Sequence, residues 1–174
     1  MKLIKKKFDV TYVIKHQKMK DKRGFFMRGF CENVLLKKGV KFKIKQTNFS
    51  YNKKKYTLRG FHFQKKPFSE DKLISCLKGK LLIVLVDINK KSKNYLKHIK
   101  ITLSSNSNKS VLISKNCATA YLTLSDETLV FYYMSNFFKK EKGRGFRYDD
   151  SKLNINWPQK PKVISNKDLN FKDL

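Results

Sequence analysis

Short segments with the pattern of β-strands recur along almost the whole chain, and no long stretch has the periodicity of an amphipathic helix. Residues 81–88 are apolar apart from Asp87 and rich in β-branched side chains, as in a strand covered on both faces. A short helix is predicted at Glu32–Leu36, ending near Gly39. Polar turns separate the other predicted strands, which are 8–14, 40–49, 99–103, 110–113, 120–124 and Thr128–Met134. The pattern predicts an all-β cupin or jelly-roll fold, an antiparallel double-sheet barrel with short peripheral helices.

The strand predicted at residues 56–64, Tyr-Thr-Leu-Arg-Gly-Phe-His-Phe-Gln, mixes aromatic residues with polar ones. A strand that only has to pack would not interleave Arg59, His62 and Gln64 with apolar side chains. These residues either bind a ligand, or they are a core histidine bonded to a backbone carbonyl and an arginine at the surface. The residue pattern alone leaves both interpretations open.

Gly60 decides whether Arg59 and His62 can serve one site. Side chains alternate across a strand, so His62 and Gln64 share a face and Arg59 points the other way. A glycine inside a strand often marks a bulge, and an extra residue there would turn Arg59 toward the face of His62. A shared site therefore requires a bulge at Gly60.

The charge of the chain is strongly positive, with 41 Lys+Arg against 13 Asp+Glu and a formal net charge of +28. Only five of the basic residues are arginine, and the lysines are spread from end to end rather than clustered. Proteins that bind nucleic acid usually concentrate such charge on one face. The distribution favours a solvated surface and no nucleic-acid partner, and it is equally compatible with a small polyanionic substrate.

Three cysteines, Cys31, Cys76 and Cys117, lie far apart without metal-ligand spacing, which indicates buried thiols in a reducing cytoplasm. No segment approaches the ~20 apolar residues of a membrane span. We expect a cytoplasmic protein with one domain over residues 1–174, no metal site and no membrane partner. His16 and His98 lie in lysine-rich sequence that we expect to be exposed.

Several motifs occur together in one order and identify a family. The chain resembles the dTDP-4-dehydrorhamnose 3,5-epimerase family, because its motifs follow one another in the same order as in that family. Members of the family are sugar-nucleotide epimerases that have a cupin fold and form dimers. The resemblance covers nearly the whole chain and implies a single cupin-type epimerase domain. Its motifs include Asp21-Lys-Arg-Gly-Phe-Phe, Leu58-Arg-Gly-Phe-His-Phe-Gln, Asp71-Lys-Leu, Tyr148-Asp-Asp, Ile155-Asn-Trp-Pro and Ser165-Asn-Lys-Asp.

The resemblance implies a reaction that needs no cofactor. A proton is removed from a carbon beside the C4 ketone of a nucleotide-linked sugar, and one is returned from the opposite face. By resemblance His62 is the base, Asp168 orients its ring and Tyr132 returns the proton. Imidazole is available unprotonated at neutral pH, and a phenol is then still protonated and able to donate.

The resemblance also assigns cations to the substrate. Lys72 would contact the sugar near its carbonyl oxygen, where a positive charge stabilises an enolate. Arg59 and Arg23 would bind the diphosphate, which suits the forked guanidinium group. The alternative for Lys72 is an ordinary surface lysine.

Nucleotide contacts are assigned in the same way. Phe26 would belong to the base pocket and come from the neighbouring subunit of a homodimer. Gln46 and Asn48 would line the same cleft, and hydrogen bonding within a strand edge is an equally good explanation for both amides.

The chain departs from the family pattern at three substrate contacts. Thr119 replaces a second site histidine, Arg28 replaces a glutamate, and Phe138 replaces a tyrosine that stacks on the nucleotide. These departures leave open a dTDP-linked or GDP-linked substrate, a hexose or a heptose, and inversion at C3 alone or at C3 and C5. The expected activity is epimerisation of such a 4-keto sugar for cell-surface polysaccharide biosynthesis.

Two other functions stay open at this stage: a non-catalytic sugar-nucleotide-binding cupin and a related ketoisomerase. Retention of His62, Asp168 and Tyr132 argues against a protein that only binds. The complete match at Leu58–Gln64 favours the epimerase over the isomerase.

Overall fold

The computed structural model describes residues 1–5, 8 and 11–174, and it is built almost entirely from antiparallel strands. Two short helices, α1 (Glu32–Leu36) and α2 (Asn166–Leu169), and a 3-10 turn at Lys140–Lys142 complete the regular structure of this part of the chain. The strands are β1 (Lys2–Lys5), β2 (Tyr12–Lys15), β3 (Lys18–Asp21), β4 (Gly24–Met27), β5 (Gln46–Asn52), β6 (Leu58–Gln64), β7 (Lys72–Lys78), β8 (Lys80–Asp87), β9 (His98–Ser104), β10 (Lys109–Ile113), β11 (Cys117–Thr123), β12 (Thr128–Met134) and β13 (Gly143–Gly145).

Two sheets form the barrel. One has six strands in the order β1-β2-β10-β7-β12-β5, and the other has five in the order β13-β6-β11-β8-β9. A separate hairpin consists of β3 and β4. The predicted double-sheet cupin barrel with short helices is therefore confirmed.

Strand β8 is covered on both faces, as its apolar sequence predicts. Leu81, Ile83 and Leu85 pack in the core with residues of the six-stranded sheet. Val84 and Val86 point to the other face and pack in a second cluster formed with the C-terminal segment. The strand therefore holds the barrel and the C-terminal segment together.

The C-terminal segment lies against the outer face of the five-stranded sheet. Phe146 stacks on Phe61 of β6 with ring centroids 4.8 Å apart. The indole N–H of Trp157 donates to the carbonyl oxygen of Tyr148 at 3.0 Å. Helix α2, with Asp168, contacts β6.

The outer face of the six-stranded sheet is only partly covered. Helix α1 and residues 40–44 cover one end of it, where Leu35, Val40 and Phe42 are buried against Leu73. The other end carries a group of exposed or half-buried apolar side chains, called here the outer aromatic patch: Phe49, Tyr51, Leu77 and Phe131. Phe49 and Phe131 lie side by side, with ring centroids 4.9 Å apart.

Most predicted strands are confirmed with small shifts at their ends, and two are not. The predicted strand 40–49 forms only from Gln46 onward, because the alternation at 40–44 reflects burial under α1 and not pairing with a strand. The predicted strand 8–14 is found as Tyr12–Lys15; Phe8 lies in a bend, and residues 9 and 10 lie outside the described residues. None of the helices that the structure describes is long and apolar enough to cross a membrane.

Candidate active site

A cavity of about 410 Å³ opens between the two sheets. Its volume lies in the range of small-molecule binding sites. One wall comes from β6 and β11, and the other from β5, β7 and β12. Of the predicted site residues, eight line this cavity: Gln46, Asn48, Arg59, His62, Lys72, Thr119, Tyr132 and Phe138.

A bulge at Gly60 places Arg59 and His62 on the same cavity. In the ladder between β6 and β11, His62 pairs with Thr119 and Arg59 pairs with Tyr121, so two residues of β6 stand opposite one of β11. Gly60 has φ +117°, and a Cβ atom there would lie 2.5 Å from the carbonyl oxygen of Thr119. Only glycine fits this position without a shift of backbone.

His62 and Asp168 form a hydrogen-bonded pair. The Nε2 atom of His62 lies 2.7 Å from Oδ1 of Asp168, whose side chain is 4% exposed. Because a carboxylate only accepts, Nε2 carries the proton of the neutral ring and Nδ1 keeps its lone pair. The bond to Asp168 contradicts the alternative of a core histidine held by a backbone carbonyl. The pair can act as an oriented base at Nδ1.

The pKa of Asp168 is lowered in the folded protein. Burial alone would raise the pKa of the Asp168 carboxyl, but the hydrogen bond and charge of His62 outweigh it, with help from Gly60 and Ser165. The backbone N–H of Gly60 donates to Oδ2 at 3.1 Å. The bulge thus also supports the carboxylate that orients the base.

Tyr132 lies on the opposite wall, on β12. Burial raises the pKa of its phenol, and the nearby Tyr121 and Glu70 raise it further while Arg59 lowers it. The phenol is therefore kept protonated well above neutral pH. The imidazole of His62 on β6 and the protonated phenol of Tyr132 on β12 therefore line the cavity from two sides.

Lys72 is not an ordinary surface lysine. Its side chain is 13% exposed, it lines the cavity, and its Nζ atom lies 3.0 Å from Oε1 of Glu70. On β7 it stands beside Met134 of β12, while Ile74 stands beside Tyr132. Lys72 and Tyr132 are therefore diagonal neighbours on one wall.

A sequence model of the dTDP-4-dehydrorhamnose 3,5-epimerase family matches residues 5–174. The chain belongs to this family. Membership makes it an epimerase, an enzyme of the isomerase class.

Individual epimerases of the family are similar over their whole length. A dTDP-4-dehydrorhamnose 3,5-epimerase from Shigella flexneri is 33% identical over 171 residues, which cover 98% of this chain and 94% of the relative. The crystal structure of the Bacillus anthracis enzyme, with TDP and pyrophosphate bound, is 31% identical, has a TM-score of 0.96 and is matched over 99% of both chains. A Legionella pneumophila epimerase in complex with dTDP-4-keto-L-rhamnose is 29% identical, with a TM-score of 0.93 over 99% of this chain and 92% of that one.

Three of the predicted site residues do not line the cavity of their own chain: Asp168, which bonds to His62, and two residues of the β3–β4 hairpin. Arg23 and Phe26 belong to the hairpin of β3 and β4, where Phe26 is 61% exposed. The Arg23 side chain is 90% exposed and pairs with Asp21 at 2.5 Å. Neither residue can serve the cavity of its own chain in this arrangement.

The structure is compatible with both explanations for Gln46 and Asn48, ligand contact and hydrogen bonding within the strand edge. They line the cavity, and the Gln46 amide donates to the side-chain oxygen of Asn48 at 2.9 Å. The Gln46 oxygen accepts from the backbone N–H of Phe138 at 2.9 Å. This bond holds Phe138 at the rim of the epimerase cavity.

Thr119 has an unusual environment for a buried hydroxyl. The residue is 7% exposed and lines the cavity, and its Oγ1 atom is shielded from solvent without a hydrogen-bond partner among the described residues. An unsatisfied buried hydroxyl is costly, so it calls for an explanation.

Sequence reasoning missed several residues that line the cavity, namely Ser50, Glu70, Tyr121, Arg144 and Lys167. Lys167 had a signal, because it directly precedes Asp168 in the last motif. Glu70 also had one, because it lies two residues before Lys72 and hence on the same side of an extended segment.

His16 corrects another expectation. It is 8% exposed, not surface-exposed, and its Nε2 atom lies 2.7 Å from the Ser110 hydroxyl oxygen, while burial lowers its pKa. No cluster of three or more His, Cys, Asp or Glu side chains in the described part of the chain is arranged to hold a metal ion.

Proposed function

We propose that the protein inverts C3, C5 or both centres of a dTDP-linked 4-keto-6-deoxyhexose, working over residues 1–174 as one epimerase domain. The observation that carries the proposal is the placement of the His62–Asp168 pair and Tyr132 on opposite walls of one cavity. Inversion of a carbon requires a base on one face and an acid on the other, and the positions of His62 and Tyr132 support these two roles.

The steps follow from the residues in the cavity. Nδ1 of His62 takes the proton from the carbon beside the ketone, and the C–H electrons form a C=C bond as the carbonyl oxygen becomes an enolate. The Lys72 ammonium stabilises the oxygen, where charge develops. Tyr132 then donates its proton to the opposite face of that carbon, and the electrons return to restore the ketone. Exchange with solvent resets His62 and Tyr132.

The nucleotide would bind along the open side of the cavity. Arg59 is held by a hydrogen bond from its Nε–H to Asn52 at 2.9 Å, which leaves the two terminal amino groups of the guanidinium to face phosphate oxygens. Arg144 and Lys167 add positive charge to the same cavity. Gln46 and Asn48 supply amides for a base, and Phe138 supplies an aromatic ring at the rim.

Thymidine is the proposed base because relatives at 33% and 31% identity are named as dTDP-sugar epimerases, and one structure holds TDP. The departures at Arg28 and Phe138 make GDP the alternative. Thermal unfolding with equal concentrations of dTDP and GDP separates the two, because a ligand that binds the native state raises the unfolding temperature. Stronger stabilisation by GDP would reject thymidine.

We also propose that the working form is a homodimer. The outer aromatic patch exposes Phe49 by 68%, Tyr51 by 53% and Leu77 by 49%, and contiguous apolar surface of this kind marks protein contacts. The hairpin beside it carries the exposed Arg23 and Phe26, which would reach the cavity of the second copy. A second copy of the chain would cover the patch and complete the site.

The reaction would supply an activated deoxysugar for cell-surface polysaccharides, and we place it in the cytoplasm. Nucleotide sugars are polyanions that suit a basic cavity. Cys31 and Cys76 are free thiols, which accords with a reducing compartment.

The deciding experiment incubates the protein with a dTDP-4-keto-6-deoxyhexose in heavy water and follows the sugar by NMR. An epimerase incorporates deuterium at the carbons beside C4 and inverts at least one of them. A protein that only binds exchanges nothing, and a ketoisomerase moves the ketone; either result would reject the proposal. The matched control is His62→Ala, which should lose about 10²–10⁴-fold or more in turnover while retaining nucleotide binding.

A further inference from the structure

Glu70 is a buried carboxylate in the cavity wall. Its side chain is 3% exposed, and both oxygens have partners: Oε1 lies 3.0 Å from Nζ of Lys72, and Oε2 accepts from Nε2 of Gln64 at 3.1 Å. A carboxylate that is removed from water to this extent needs such partners to remain ionised. Glu70 and Lys72 thus form a buried ion pair that lines the substrate cavity.

Gln64 fixes the position of this carboxylate. Its amide nitrogen also lies within hydrogen-bond distance of the carbonyl oxygens of Phe68 and Phe137, at 2.8 and 3.1 Å. Its amide oxygen accepts from the backbone N–H of Lys139 at 2.7 Å. Gln64 is therefore tied to two loops as well as to Glu70, and it lies two residues after His62 on the same strand.

One end of β6 is thus connected to two pairs of polar side chains, His62–Asp168 and Glu70–Lys72. His62 leads to Asp168 of α2, and Gln64 leads through Glu70 to Lys72 on the facing wall. The ammonium of Lys72 has three donors, of which Glu70 takes one, so donors remain for a ligand oxygen.

We propose that Glu70 is a positioning residue for the reaction: its carboxylate, held by Gln64, fixes the Lys72 ammonium where the carbonyl oxygen of the sugar binds. This inference rests on the proposed function. A flexible lysine stem has many conformations, and restricting it before the substrate arrives reduces the ordering that the transition state would otherwise require.

Glu70 also affects the acid on the same wall. The charged and titratable groups around Tyr132 are Tyr121, Arg59, Glu70 and Lys72, and the negative charge of Glu70 favours the protonated phenol. Loss of that charge should therefore lower the pH at which Tyr132 loses its proton.

The test compares two substitutions at Glu70 with one at the surface. Glu70→Gln keeps the size and removes the charge, whereas Glu70→Asp keeps the charge and shortens the reach. The control is Glu127→Gln, which removes the partner of Lys78 from an ion pair whose side chains are 55% and 63% exposed. Each variant is assayed for kcat and KM with the dTDP-4-keto sugar across pH, and the Glu70 variants are crystallised.

We expect Glu70→Gln to lower kcat about 10- to 100-fold with little change in KM, because the contacts to the nucleotide remain intact. The basic limb of its kcat profile should move to lower pH. Glu70→Asp should keep the limb near the wild-type position and recover part of kcat, and Glu127→Gln should match the wild type. In crystals of Glu70→Gln, the Lys72 ammonium should leave its present position.

An unchanged kcat in folded Glu70→Gln, or an unmoved Lys72 ammonium in its crystal structure, would overturn the role of Glu70. If the wild-type protein exchanges no proton, the proposed function fails, and the crystal structure still decides whether Glu70 positions Lys72. If Glu70→Gln does not fold, Glu70→Asp decides: wild-type kcat with the ammonium displaced would reject the proposal.

Discussion

Thr119 of β11 stands directly opposite His62 of β6, at the position where the bulge ends and regular pairing resumes. Side chains of directly paired residues have Cβ atoms about 5 Å apart, so Thr119 would lie next to the sugar carbon that His62, the proposed base, deprotonates. Its hydroxyl has no partner among the described residues and is shielded from solvent, so it would have to turn toward the cavity to bond a substituent of that carbon.

Thr119→Val should therefore weaken catalysis without weakening the fold. The valine removes a hydroxyl that has no partner among the described residues, so the unfolding temperature should stay the same or rise. If the hydroxyl binds the sugar, kcat/KM should fall about two- to tenfold, the value of one hydrogen bond. Thermal unfolding and steady-state kinetics measure the two effects.

Thr123 provides the matched control on the same strand. Its hydroxyl accepts from the backbone N–H of Thr57 at 2.9 Å and donates to the carbonyl oxygen of Lys54 at 3.0 Å. Thr123→Val leaves that N–H unsatisfied and should destabilise the protein by about 1–3 kcal/mol. Equal destabilisation by both valines would contradict the assignment of Thr119.

The order in which the C3 and C5 protons exchange should depend on the same contact between Thr119 and the sugar. When C3 faces His62, Thr119 can bond the 3-hydroxyl, whereas C5 carries a methyl group that offers no such bond. We expect the C3 proton to exchange faster than the C5 proton in heavy water. Tyr132→Phe should block inversion more than exchange, because His62 can remove and return a proton on one face. Earlier loss of the C5 signal, or unchanged inversion in Tyr132→Phe, would refute these claims.

Asp168 should make the free energy of unfolding depend on pH. Its pKa is lowered in the folded protein, because its bonds with His62 and Gly60 outweigh burial. Its contribution is therefore present above the unfolded pKa, about 3.9, and is lost as the pH falls through the folded value. The difference in unfolding free energy between wild type and Asp168→Asn should be largest near neutral pH and shrink below about pH 4.

Urea unfolding at several pH values checks this expectation. Asp149→Asn is the surface control, since Asp149 pairs with Arg147 at 2.8 Å with both side chains partly exposed, and such pairs contribute about 0–1 kcal/mol. A difference for Asp168→Asn that does not change between pH 7 and pH 3 would show that the carboxylate is not held as described.

Gly60→Ala should damage both stability and activity. The new Cβ would meet the Thr119 carbonyl oxygen at 2.5 Å and the Ala120 Cα at 2.7 Å, and backbone atoms cannot move aside cheaply. Gly39→Ala is the control, because Gly39 also has positive φ, +73°, and a Cβ atom added there would meet no atom within 4 Å. We expect Gly39→Ala to cost about 1 kcal/mol with normal activity, whereas Gly60→Ala loses turnover as well. Normal turnover in Gly60→Ala would rule out the role of the bulge.

Mixing two variants that we expect to be inactive tests whether the β3–β4 hairpin of one subunit contributes to the cavity of the other. His62→Ala removes the proposed base, and Phe26→Ala removes the ring that we propose to reach the partner's cavity. In a mixed dimer one cavity lacks both residues and the other lacks neither, so random mixing should restore about one quarter of wild-type activity. No recovery, with sedimentation showing that dimers form and exchange subunits, would mean that Phe26 does not serve the partner's site.

The sequence predicted the barrel and the central strand well, because alternation and apolar runs directly report burial. It could not distinguish burial from strand pairing at 40–44, since a segment lying over a sheet alternates like a strand within it. The direction of Arg59 depended on a bulge that Gly60 indicated but did not prove. Glu70 had a local signal in its spacing from Lys72, but its burial and its bond to Gln64 depend on how the fold brings β6 and the segment before β7 together.

The His62–Asp168 pair joins residues 106 positions apart in the chain, across the seam between the barrel and the C-terminal segment. The barrel core is closed without that segment, since the inner cluster is drawn from strands β2 to β12 and Phe8. A protease that cut the exposed stretch near residues 158–162 could therefore silence the enzyme while leaving the barrel folded. We therefore expect loss of activity and loss of structure to be separable in this molecule, so that a nicked sample with normal strand content by circular dichroism would be inactive.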